Sequence, residues 1–244
     1  MNRPAFEALD SFIYTINAAQ NLDEILNILQ NIIKSYGFDR FTYWLRWAEI
    51  DKEPIAITTY PENFVNRYIA KDYQAHDMVG RLSSHTNTPF VWTDISKRFE
   101  ITKMQKVLFD ESQSVGIQSG GSVPIHGPNQ TQATFSVVSD ADYKEFDKLF
   151  NHHRHELHII AAYAHEKILS LGIDSHINRA SLTTRETEVL LWVSRGKTYW
   201  EIGRILNIQE GTVKKYMQRI FDSLQVSNSS HAVAKAIING LIIP

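Results

Sequence analysis

Side chains suited to specific binding gather in two parts of the sequence. In the run YPENFVNRYIAKDYQAHD, Tyr60, Phe64 and Tyr68 recur at i, i+4 and i+8, which lays three aromatic rings along one face of a helix. Asp77 follows nine residues after Tyr68. Trp92 stands in PFVWTD, Ser136 in ATFSVVS, and Gly116 and Gly120 in or beside GIQSGGSVPI, where missing side chains let a ligand or a neighbouring backbone come close. The polar members are complementary: an indole N–H only donates, an ionised carboxylate only accepts, and a phenol does both. On residue types alone the set fits a pocket with a few convergent polar groups, and it fits an ordinary aromatic core.

The second group is basic. Lys214, Lys215, Gln218 and Arg219 share the exposed side of a helix expected over Glu210 to Leu224, whose other side is Val213, Met217, Ile220, Phe221 and Leu224. A shorter helix, Tyr199 to Leu206, capped by Thr198, precedes it across the turn Asn207-Ile208-Gln209. This is helix-turn-helix design: basic groups neutralise phosphates, and an amide can pair with base edges in the major groove. A small helical bundle with a solvated basic face has the same pattern. Charge is distributed unevenly in the same sense. From Ser181 onward eight Lys and Arg face five Asp and Glu, and before it 17 face 22, so a whole-chain charge of -2 divides into +3 and -5. A basic module following an acidic one suits a polyanion-binding domain joined to something else.

Other chemistries find less support. The run NHHRHELHII brings His155 and His158 to i, i+3, but HELH is one residue short of the H-E-x-x-H zinc hydrolase motif, and a solvated polar helix face accounts for it, so no metal site is expected. A metal-dependent enzyme built on this run is the alternative from another class. No nucleophile elbow or phosphate loop occurs, so no enzyme and no cofactor is expected. The absence of cysteine excludes a disulfide scaffold and thiol chemistry. With no apolar stretch near the roughly 20 residues of a membrane helix and no secretory pattern at the start, a cytoplasmic protein without membrane association is expected.

The elements that must position these groups form an α+β chain. Asn21 caps a helix to Tyr36 ended by Gly37, strands are expected over Phe38 to Ile50, Pro54 to Tyr60, Ile117 to Ile125 and Gln132 to Ser139, and HGPNQ makes the turn between the last two. Short helices and loops fill Pro61 to Ser114, and one long helix runs from Asp142 to Leu171. Helices before and after four strands predict an N-terminal α/β/α sandwich with an antiparallel sheet over residues 1–172. A linker over 173–181 and a C-terminal four-helix helix-turn-helix domain over 182–244 complete the expected organisation.

The stretch LTTRETEVLLWVSRGKTYWEIGRILNIQEGTVKKYMQRIFDSLQV resembles the DNA-binding domain of LuxR-type transcription regulators, with Glu186, Leu190 and Gly196 at its most characteristic positions. The pattern weakens over Ser227 to His231, where many members carry an arginine. The opening helices, with no acidic pair after an early strand, argue against a phosphoaccepting receiver in front of it. The residues from Tyr60 to Ser136 are instead similar, in order and spacing, to the acyl-homoserine-lactone pocket of LuxR-type quorum-sensing receptors. That resemblance implies ligand contacts from Tyr60, Phe64, Tyr68, Asp77, Trp92, Gly120 and Ser136. Trp92 would donate to the lactone carbonyl and Asp77 would accept from the amide N–H. Tyr68, helped by Ser136, would donate to the acyl carbonyl. The family usually has tryptophan at Phe64 and proline at Met78; phenylalanine keeps an aromatic wall, and an adaptable methionine could line a long acyl tail. For DNA, the resemblance implies Lys197, Thr198, Thr212, Lys214, Lys215, Gln218 and Arg219, with Lys214 and Gln218 toward bases and Lys215 and Arg219 toward phosphate. It also implies a homodimer on a dyad-symmetric double-stranded site. A regulator acting without ligand or with a divergent one, or an inhibitory dimerisation partner of a related receptor, is the alternative.

Overall fold

The computed structural model describes residues 3–47, 54–127, 131–172 and 182–244. The described residues form two compact units, the first comprising 3–46, 54–127 and 132–172 and the second built on 182–244. The expected linker, residues 173–181, lies outside the described residues, as do residues 48–50 and 128–130 of the expected first strand and turn.

In the first unit α1 (Arg3–Ala18) and α2 (Leu22–Ser35) precede the sheet. Asn21 caps α2 by accepting the Glu24 N–H at 2.9 Å, and Gly37 is left-handed, as the sequence predicts. The sheet is antiparallel throughout, in the order β2-β1-β5-β4-β3. Its strands are β1 (Arg40–Arg46), β2 (Ile55–Thr58), β3 (Phe90–Val91), β4 (Ser119–His126) and β5 (Gln132–Ser139). Among the described residues there are five strands, one more than expected: β3 is two residues long and has no alternation to read.

Alternation along β1 and β5 divides the sheet faces. Phe41, Tyr43, Leu45, Phe135 and Val137 are fully buried on one side, where α7 (Tyr143–Ser170) packs. Thr42, Trp44, Arg46, Thr134 and Ser136 point to the other, which is covered by α3 (Glu62–Ala70), α4 (Met78–Ser83), α5 (Thr93–Arg98) and α6 (Lys103–Gln113). The consecutive glycines of β4 sit between these layers. A Cβ on Gly121 would lie 2.4 Å from the Phe150 ring of α7, and one on Gly120 would lie 2.5 Å from the Trp92 indole on the opposite face.

The histidine run needs correcting. His152, His155 and His158 are exposed as expected, but His153 is half-buried and packs tilted against Tyr36 with ring centres 4.6 Å apart. His165 is buried, with Nδ1 2.7 Å from the Tyr43 hydroxyl. Burial lowers the pKa of both rings, against a smaller opposing charge effect from Glu156 or Glu166. Among the described residues no three His, Asp or Glu side chains gather as a metal site, and no helix is long and apolar enough to cross a membrane.

The second unit is four helices: α8 (Thr184–Ser194), α9 (Tyr199–Leu206), α10 (Glu210–Leu224) and α11 (Ser229–Ile238). Reciprocal capping boxes start the first two, Thr183 with Glu186 and Thr198 with Glu201. Each cap contributes about 1 kcal/mol and fixes where its helix begins. Gly203 explains the tightness of the next turn, since a Cβ there would meet the Ile208 carbonyl oxygen at 2.8 Å. Asn207 takes the left-handed conformation that ends α9. Where the family resemblance weakens, Asn228 caps α11 by accepting the His231 N–H at 2.9 Å. Val189, Leu190, Ile202, Val213, Met217, Ile220 and Leu224 close one buried core.

Candidate ligand cavity and nucleic-acid interface

The polar face of the sheet and the helices over it enclose a cavity of about 140 Å³. Tyr60, Phe64, Tyr68, Asp77, Trp92 and Ser136 all line it. Phe64 and Tyr68 lie on α3, while Tyr60 precedes Pro61, the residue at the start of that helix. The three rings still follow one another at 6.3 Å spacings, and Tyr68 also meets Trp44 edge-on at 5.8 Å. Such contacts make a wall of fixed rings with few rotamers to order on binding.

The polar groups form two sets. Asp77 is half-buried and caps α4: one carboxylate oxygen accepts the Val79 N–H at 2.8 Å, the other accepts the Tyr68 hydroxyl at 2.8 Å. Burial raises its pKa above the ordinary 3.8, and the hydrogen bonds from Tyr68, Val79 and Gly80 hold it back. The Tyr68 and Tyr60 phenols are both pushed well above their usual range, first by burial and then by the nearby Asp77 charge. Both therefore stay protonated donors. In the second set the Trp92 indole N–H donates to Ser122 Oγ at 2.9 Å, and Ser122 Oγ is 2.8 Å from Ser136 Oγ. The Tyr60 hydroxyl is buried with no partner among the described residues.

Two sequence expectations change. Gly120 does not line the cavity; it lies beneath the Trp92 indole and lets that ring sit flat on β4. Met78 does not line the cavity: it is buried in a separate cluster with Val79, Leu82, Phe90 and Ile95. Tyr68 and Trp92 already have acceptors, so a bound carbonyl would have to exchange for Asp77 or Ser122. Ser122 is the missed member of the set, and its signal was alternation along SGGSVPIH, which puts it on the Gly120 face. Thr42, Trp44, Thr58 and Ser83 also line the cavity and were not foreseen.

In the second unit Lys214, Lys215, Gln218 and Arg219 are exposed along α10, as the sequence predicts. Lys214 pairs with Glu210 at 2.8 Å and Gln218 donates to Asp222 at 3.1 Å, contacts between exposed groups that water or DNA can replace. Thr212 is half-buried near the start of α10. Lys197 and Thr198 lie at the start of α9, where Lys197 pairs with Glu201 at 3.3 Å and the Thr198 hydroxyl donates to the same carboxylate. Trp200, 62% exposed on α9 beside Arg204, was overlooked: an aromatic at a solvent position of a short helix is its signal.

A small-molecule cavity in an α+β unit, followed by a helix-turn-helix unit with a basic second helix, defines the class: a ligand-binding, DNA-binding regulator. Residues 21–168 match the autoinducer binding domain and residues 180–236 match the bacterial regulatory proteins of the luxR family. The chain belongs to the LuxR family of autoinducer-binding, DNA-binding transcription regulators that respond to a quorum-sensing signal, and it is not an enzyme. It is 32% identical over 222 residues to the transcriptional activator protein CarR of Pectobacterium carotovorum subsp. carotovorum, covering 88% of this chain and 91% of that one. It is 31% identical over 183 residues to the quorum sensing-dependent transcriptional regulator RpaR of Rhodopseudomonas palustris, covering 75% and 73%. The fold matches SdiA solved in complex with octanoyl-rac-glycerol at a TM-score of 0.79 and 18% identity, over 99% of this chain and 98% of that one.

The raised pKa of Asp77 gives a pH prediction. The folded state holds this proton more tightly than the unfolded state, so Asp77 weakens stability as pH rises from below 3.8 through its raised folded value. Asn keeps an acceptor for the Val79 cap without the charge. Urea unfolding without added ligand should therefore show Asp77→Asn gaining on the wild type as pH rises through that window. A difference independent of pH would contradict the assignment.

Proposed function

We propose that the signal is an N-acyl-homoserine lactone. The observation that carries this reading is the pair of buried polar sets, Asp77 with Tyr68 and Trp92 with Ser122 and Ser136, at one end of an aromatic-walled cavity. An acyl-homoserine lactone has a matching head: one N–H donor and two carbonyl acceptors. Its amide N–H goes to Asp77, its lactone carbonyl takes the place of Ser122 as acceptor for Trp92, and its acyl carbonyl faces Tyr68 and Ser136. Ser122 keeps Ser136 as a partner through that exchange, so no buried hydroxyl is stranded at a cost of about 1 to 3 kcal/mol. Tyr60 and Phe64 pack the ring and the start of the chain.

The regulator acts in the cytoplasm as a homodimer on dyad-symmetric DNA, each copy presenting one α10 to a half-site. Lys214 and Gln218 read bases, Lys215 and Arg219 meet phosphate, and Lys197, Thr198 and Thr212 support the backbone contact. Ligand bound only to the folded first unit stabilises it by mass action.

Thermal unfolding with lactones of graded chain length tests the ligand. A hundredfold excess over Kd should raise the midpoint by about 5–10 °C, with most of the rise lost in Asp77→Asn and Trp92→Phe. A flat response from folded protein that binds DNA would leave a ligand-independent regulator or one tuned to another signal. Salt titrations of DNA binding test the interface. Lys215→Ala should weaken all sequences about equally and lower the salt slope by about one, whereas Gln218→Ala should change sequence preference. The reverse pattern would reject these roles.

A further inference from the structure

The end of the cavity remote from Asp77 and Trp92 is polar, and the lactone reading does not use it. Two elements run from one end to the other. Asp77 caps α4 and Ser83 is its last residue, roughly 9 Å on at 1.5 Å per residue. On β5, Gln132 lies four residues from Ser136, roughly 13 Å along the strand. These remote residues converge. Ser84 donates to Gln132 Oε1 at 3.0 Å, and Arg46, paired with Gln132 in the β1–β5 register, approaches the same oxygen at 3.5 Å. Ser83 lines the cavity there, 4% exposed, and its hydroxyl is buried with no partner among the described residues. Asp77 and Arg46 are the charged side chains among the residues lining the cavity, and Arg46, beside Gln132, is exposed to solvent.

A chain ending in a methyl group gains nothing from such a terminus and leaves the Ser83 hydroxyl unsatisfied. With its Oε1 occupied, Gln132 offers its amide N–H groups, beside the Ser83 O–H and the Arg46 guanidinium. The terminus is a set of donors, and the group complementary to donors is an acceptor oxygen.

We propose that the acyl group of the signal carries an oxygen function at its far end, a hydroxyl or a carboxylate, held by Ser83, Gln132 and Arg46. This rests on the lactone reading of the head site and adds the class of acyl group. A hydroxyl is served chiefly by Ser83, and a carboxylate is served chiefly by Arg46.

Calorimetric titration of the full chain with three homoserine lactones of equal acyl length, ending in methyl, hydroxyl and carboxylate, tests it. At least one oxygen-terminated lactone should bind about tenfold tighter than the methyl-terminated one. A hydroxyl preference should fall toward unity in Ser83→Ala, and a carboxylate preference in Arg46→Met, each variant first checked for a cooperative thermal transition. If the methyl-terminated lactone binds the wild type as tightly as both of the others, the inference is overturned while the lactone reading stands. If none of the three binds, both fall together. The comparison of the three lactones on the wild type needs no variant, so misfolding of a variant does not shield the proposal.

Discussion

A carboxylate taken out of water must be given partners, and the partners of Asp77 organise the site. An isolated buried charge is costly enough that the group would neutralise instead. Here one oxygen is fixed by the first turn of α4 and the other by the hydroxyl of Tyr68 on α3. One residue thus joins the start of one helix to the aromatic wall carried by another. The same constraint makes the cavity asymmetric: burial raises the Asp77 pKa, and burial together with the nearby Asp77 charge keeps Tyr60 and Tyr68 as phenols. An acceptor and several donors are held together beside a wall of rings, and ligand specificity then depends on which small molecule offers the inverse pattern.

The sheet makes this arrangement possible by having two unlike faces. Phe41, Tyr43, Leu45, Phe135 and Val137 bury one face under α7 and anchor the unit. Thr42, Trp44, Ser136 and Ser122 occupy the other, where they need not fill space completely. Gly120 and Gly121 serve both layers at one point of β4, with Trp92 pressed on one side and Phe150 on the other. Packing on the anchored face and placement of the indole are therefore set by adjacent residues. An alanine at Gly120 would displace the donor expected to meet the ligand, although it would touch no ligand itself.

Features governed by neighbours in the chain were legible in the sequence. The Asn21 cap, the left-handed Gly37, the capped α9 and the turn to α10 all follow from residues a few positions apart, and the basic face of α10 from its helical period. Features governed by distant partners were not. Ser122 became part of the site only once β4 paired with β5 and set it beside Ser136. The inward turn of His165 depends on Tyr43, more than a hundred residues earlier. Met78 was misplaced because the axis of α4, which sends it to the cluster with Phe90 and Ile95, cannot be read from six residues. The strand β3 was missed for the same reason, since two residues carry no period.

The central claim is that a lactone head completes the buried polar end formed by Asp77, Tyr68, Trp92 and Ser136. Hydrogen exchange of the full chain, with and without a saturating acyl-homoserine lactone, reads this at the amides concerned. The account predicts slower exchange at Val79 and Gly80 at the start of α4 and along 133–136 of β5, with smaller changes on the α7 side of the sheet. Unchanged exchange at those amides, under conditions where the lactone is bound, would contradict it.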